Sequence, residues 1–179
     1  IASHEKPSRQ DGLIYYRRVA EHYGLDIRPG EDVVDVTRES GGSFRIQVAR
    51  RHDSKAYRAS AVVFATGYYD NPNYLRVPGE DLPHVSHYFV EGHPYWHQRV
   101  IVIGAGNSSV DAALECWRAG ATVTLVHFGE GFDRTVKAWV LPDIVNRVKE
   151  GSIAVRWRSR VRAITPTDVE VVSDETGAA

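Results

Sequence analysis

The sequence predicts an α/β fold organised on a Rossmann-like unit, and three observations carry that expectation. Residues 100–103 (V-I-V-I) form an unbroken apolar run of the kind a strand covered on both faces shows. Gly104 and Gly106 follow at once, and Val110, Ala113, Leu114 and Trp117 then recur at helical spacing until Gly120, placed as a left-handed stop. Residues 122–126 are a second β-branched run, so 99–128 reads strand, glycine turn, helix, strand.

That order is the first half of a dinucleotide-binding unit, in which backbone N–H groups at a helix N-terminus face a pyrophosphate. Gly104, Ala105, Gly106, Asn107, Ser108 and Ser109 are therefore the candidate binding residues. A glycine pair alone is common in turns, and its position between strand and helix is what makes it informative. The third position of the motif, usually Gly or Ala, holds Ser109, which is small enough for close helix–strand packing. The competing reading is an α/β unit with a glycine turn and no ligand.

In chain order, residues 1–10 are polar and irregular, with Pro7 opposing an early helix. Leu13, Ile14, Tyr16, Ala20 and Tyr23 predict an amphipathic helix over 10–23, stopped by Gly24, its tyrosines serving core and rim packing. Three short strands follow at 32–37, 44–49 (F-x-I-x-V) and 57–59, with Ser40-Gly41-Gly42 as a turn and 50–55 as a charged, solvated loop. Residues 61–64 predict another buried strand, ending in Ala65-Thr66-Gly67-Tyr68. Small residues there either admit a ligand to the backbone or make an ordinary turn, and composition does not choose.

Four of the eight histidines, His84, His87, His93 and His97, fall in an aromatic stretch with Tyr88, Tyr95 and Trp96. Gly92 and Pro94 oppose the helix that ligand spacing would need, so a crossover packed at a domain seam is expected rather than a metal site. Beyond 129–133, Val136, Val140, Ile144 and Val148 predict a helix kinked or broken at Pro142. Strands are expected at 153–157, 160–164 and 169–172. The period-two series Arg156, Arg158, Arg160 and Arg162 shares one solvent-facing side if that run is continuous.

The length of 179 residues suits one large domain or two small ones. A net charge of −1 gives no nucleic-acid footprint. Cys116, the single cysteine, excludes an internal disulfide and reads as a packed helix residue rather than a reactive thiol. No 18-residue apolar run or charged-then-apolar leader is present, which points away from a membrane and to the cytoplasm. The chain opens at Ile1 and holds no methionine, so an internal fragment of a longer protein is expected, one liable to poor solubility by itself.

Six segments carry a resemblance that covers most of the chain: K-P-S-R-Q from Lys6, Y-Y-R-R-V-A-E-H-Y-G-L from Tyr15, A-T-G-Y-Y-D-N-P-N from Ala65, V-P-G-E-D-L-P-H-V-S-H-Y from Val77, N-S-S-V-D-A-A-L-E from Asn107 and W-V-L-P-D-I-V-N-R from Trp139. With them the chain resembles flavoproteins with two dinucleotide-binding domains, the thioredoxin reductase-like group, and within it the YpdA-like bacillithiol disulfide reductase family. The resemblance implies that 1–85 is the C-terminal part of an FAD domain plus a crossover, with Ala65, Thr66, Gly67 and Tyr68 near the flavin. It implies that 86–179 is an inserted NAD(P) domain, incomplete at its C-terminus. No catalytic nucleophile is assignable, because the family's cysteine lies in the amino-terminal FAD region.

An acidic residue at the end of the second strand favours NAD, and a nearby Arg favours a 2′-phosphate. Here the strand ends in His127-Phe128, where related reductases carry Arg after the histidine. Arg134 or Lys137 would supply the positive charge, with His127 at the ribose, so NADPH is expected. The function implied is transfer of electrons from NADPH through FAD to a low-molecular-weight disulfide, by a full-length homo-oligomer. The alternatives are a flavin-containing monooxygenase and a non-catalytic NAD(P)-sensing module.

Overall fold

The computed structural model describes residues 8–51, 53–67 and 69–174. They form two compact units whose boundary along the chain falls between Thr66 and Gly67.

In the first unit, helix α1 spans Arg9–Tyr23. Ser8 caps it through a reciprocal box: the Asp11 N–H donates to Ser8 Oγ (3.2 Å) and the Ser8 N–H donates to Asp11 Oδ2 (2.9 Å). Gly24, left-handed at φ 58°, closes it as expected. The predicted packing of its tyrosines is not found: α1 has no buried residue, and Tyr16 and Tyr23 are each 71% exposed.

Strands β1 (Asp32–Arg38), β2 (Phe44–Arg50) and β3 (Asp53–Ala59) make an antiparallel meander in that order. β3 is longer than the sequence suggests: it pairs with β2 from Arg50↔Asp53 to Phe44↔Ala59, so Asp53 and Lys55 stand in the ladder rather than in a loop. Backbone pairing holds charged side chains on an edge strand without cost when they face water. The strand expected at 61–64 is absent, and Val63 and Phe64 stand exposed. That segment pairs with no strand among the described residues.

The second unit contains β4 (Arg99–Ile103), α2 (Asn107–Arg118), β5 (Thr122–Val126), α3 (Leu141–Lys149) and β6 (Ile153–Arg156), with a parallel sheet ordered β4-β5-β6. An antiparallel ribbon, β7 (Ser159–Ile164) and β8 (Val169–Ser173), follows. The core joins Val110, Ala113, Leu114 and Cys116 of α2 to Val123 and Leu125 of β5, Ile144 of α3 and Ile153 of β6. Cys116 is buried and its thiol pKa is pushed up by that burial, which makes it a packing residue.

Three expectations are corrected here. β4 is not covered on both faces: Ile101 and Ile103 are about two-fifths exposed, because the helix screens one side only of this edge strand. The helix expected from Val136 begins at Leu141, with Pro142 in its first turn, where a missing N–H costs nothing. Within the second unit, Val77, Leu82 and Val85 pack against Val126, Val161 and Ile164. Gly79 there lies so close to the Ile164 carbonyl that a Cβ would sit 1.9 Å from its oxygen. Finally, the arginine series is broken, since Arg156 ends β6 and Arg158 takes a left-handed φ of 48° before β7, leaving only Arg160 and Arg162 on one strand.

Candidate dinucleotide site

The site begins where β4 ends. Gly104 has φ 119°, a region an L side chain resists, and its N–H donates to the Val126 carbonyl (2.9 Å), tying the turn to β5. A Cβ at Gly104 would come within 3.2 Å of Ser109 Oγ. Ser109 thus fills the third motif position as expected, and its hydroxyl donates to the Gly106 carbonyl (2.9 Å).

Gly106 is the N-cap of α2, and no side chain among the described residues caps this end. The first N–H groups of any helix lack intrahelical acceptors, and together with the helix dipole they favour an anion. A Cβ on Gly106 would meet nothing within 4 Å, so the approach to those N–H groups is open. The residues present fit a pyrophosphate on this observation: open space before an uncapped helix end at the carboxyl end of a parallel strand.

The loop after β5 is latched to this turn by Asn107. Its Nδ2 donates to the Thr135 carbonyl (2.6 Å) and its Oδ1 accepts from the Lys137 N–H (2.9 Å). The Asp133 N–H also donates to the Ala105 carbonyl (3.0 Å). Lys137 Nζ pairs with Asp111 Oδ2 at 2.9 Å. Asn107 and Lys137, both expected to touch ligand, therefore spend their side chains on positioning this loop. Ser108 and Arg134 are exposed, Arg134 on the latched loop.

His127 leaves β5 with its N–H donating to the Arg156 carbonyl (2.9 Å) and its own carbonyl accepting from the Ser159 N–H (3.0 Å). Its ring lies against Phe128 (centroids 4.4 Å) and edge-on to Trp157 (6.2 Å). Nδ1 is buried without a hydrogen-bond partner among the described residues. Burial, foremost, holds its pKa below the ordinary histidine value; the Asp133 charge opposes this and the Arg160 charge assists it. The imidazole is accordingly neutral near pH 7, a hydrogen-bonding rather than a charged group.

Sequence reasoning missed Arg160. Its guanidinium carbon stands 4.9 Å from the centroid of the Phe128 ring. The available signal was Phe128 itself, an exposed ring on which a cation can stack. Ala65 and Thr66 belong to the first unit and Gly67 to the second; all three are exposed, and Tyr68 lies outside the described residues. Among the described residues no three His, Cys, Asp or Glu side chains converge on a metal position, and no helix is long and apolar enough to cross a membrane.

A family model described as pyridine nucleotide-disulphide oxidoreductase matches residues 1–179. The chain is 41% identical over 175 residues to bacilliredoxin reductase Bdr of Bacillus subtilis (strain 168), covering 98% of this chain and 53% of that protein. Among solved structures it is similar to the bacillithiol disulfide reductases Bdr (YpdA) of Bacillus cereus (38% identity, TM-score 0.83, 97% of this chain and 56% of that one) and Staphylococcus aureus (37%, TM-score 0.85, 97% and 52%). The chain spans about half the length of the relatives it matches.

Proposed function

We propose, from the premise that this chain belongs to the pyridine nucleotide-disulphide oxidoreductase family, that the whole protein is an FAD-containing, NADPH-dependent reductase of a low-molecular-weight disulfide. The substrate class is that named for its structural relatives, bacillithiol disulfide. The observation that carries this reading is the uncapped N-terminus of α2 behind Gly104 and Gly106.

When bound, the nicotinamide supplies a hydride and the flavin relays the electrons to the disulfide. The chain's own part is recognition. Backbone N–H groups of Asn107, Ser108 and Ser109 donate to the pyrophosphate, and Gly106 keeps their approach free. Neutral His127 serves the ribose, and Arg134 adds positive charge from the loop that Asn107 and Lys137 hold in place. Residues 65–68 lie near the flavin in this reading, 1–85 forming part of the FAD domain and 86–179 the nicotinamide domain. We place the protein in the cytoplasm as a homo-oligomer.

The test is the full-length, FAD-loaded protein given NADPH and bacillithiol disulfide. Disulfide-dependent NADPH oxidation with a higher kcat/KM than for NADH is expected. Oxygen-dependent hydroxylation without disulfide reduction would make it a monooxygenase, and nucleotide binding without a flavin spectrum a sensing module; either overturns the reading.

A further inference from the structure

We infer that Arg160, laid against the Phe128 ring, is the specificity residue that receives the 2′-phosphate of the dinucleotide. The inference rests on the reading of the glycine turn as a dinucleotide site. In that frame the adenosine ribose lies beyond the end of the second strand, where His127 and Phe128 follow β5. Phe128 cannot bind a phosphate, yet it stands 58% exposed just past the end of β5.

Arg158, Arg160 and Arg162 follow β6 along the chain, and their partners separate them. Arg158 Nη2 bonds Glu130 Oε1 and Arg162 Nη1 bonds Glu170 Oε1 (3.3 Å), so carboxylates hold their terminal nitrogens. Arg160 meets a carboxylate only through Nε, which donates to Asp174 Oδ2 at 3.2 Å. Its two terminal nitrogens have no hydrogen-bond partner among the described residues, and its side chain is 62% exposed. Phe128 below and Asp174 at the inner edge fix the guanidinium plane, which leaves a two-pronged donor edge suited to a phosphate dianion. Of the rival cations, Lys137 has its Nζ held by Asp111 Oδ2 at 2.9 Å, and Arg134 has no ring among the described residues to fix its guanidinium.

Equilibrium binding of 2′,5′-ADP and 5′-AMP to the full-length, FAD-loaded protein tests this without reference to turnover. The wild type should prefer 2′,5′-ADP. Arg160→Leu should lose roughly 10- to 100-fold for 2′,5′-ADP, the range of a charge-assisted bond pair, and stay within about twofold for 5′-AMP, with Arg160→Lys in between. Equal losses for both nucleotides would show a merely structural role, and no loss would show an idle one; each overturns the assignment. A wild type that binds 5′-AMP as tightly as 2′,5′-ADP overturns it while leaving the dinucleotide site standing. A wild type that binds neither overturns both.

Discussion

Two helices in this chain begin in opposite ways. The N-terminus of α1 is closed by its own side chains, Ser8 and Asp11 exchanging hydrogen bonds with each other's backbone, and the helix buries nothing. The N-terminus of α2 is left open behind Gly106, and the helix buries Val110, Ala112, Ala113, Leu114 and Cys116. The difference shows how stability and binding are divided. Isolated short helices are marginal in water, so α1 depends on its caps. A helix anchored by a core tolerates unsatisfied N–H groups at one end and can offer them to an anion.

The comparison can be broken most sharply at Gly106. Gly106→Trp should abolish NADPH binding in the full-length protein while FAD stays bound, because the indole would enter the space before the open N–H groups. Retained NADPH affinity in a fluorescence titration would mean that the end of α2 is not the site. Next in size, Leu114→Ala should cost about 2–5 kcal/mol of unfolding free energy in urea, since Leu114 is 2% exposed. A loss below about 1 kcal/mol would deny that packing anchors α2.

At α1 the effects should be smaller. Ser8→Ala should destabilise that helix by about 1 kcal/mol, read as lost amide protection over its first turn. The smallest effect is in pH. Hydrogen bonds from Ser8, side chain first and then backbone, hold the Asp11 carboxyl below its ordinary value. A depressed folded pKa means that the cap's contribution is present above the unfolded value and disappears as pH falls through the folded one. The first turn of α1 should therefore fray in acid below the ordinary carboxylate range while the first turn of α2, with no carboxylate in it, does not. Equal acid responses of the two ends by amide exchange would erase the distinction.

Much of this was legible because it is local. Gly24 and Gly120 stop their helices where a left-handed residue was expected, at φ 58° and 89°. The glycine turn, α2 and β5 follow from spacing alone. The sequence signal failed where a pattern had two physical solutions. Pro142 breaks a helix or starts one, and here it starts α3. The period-two arginines suited one long strand, but a left-handed Arg158 divides it. Residues 61–64 have strand composition, and a strand forms only where a neighbouring edge receives its backbone.

What the amino-acid order determined by itself is therefore the set of short-range elements: caps, turns, the α2 face that packs, and the glycines that let backbone approach an anion. Tertiary structure decided which side chains were left for a ligand. Folding set the Asn107 side chain against Thr135, 28 positions away, and Lys137 against Asp111. Arg160 looked like a solvent-facing strand residue until folding laid it over Phe128. Periodicity reports the face of an element, because bond geometry repeats along a helix or strand. The partner across that face is chosen by packing between segments distant in the chain, and no local repeat encodes it.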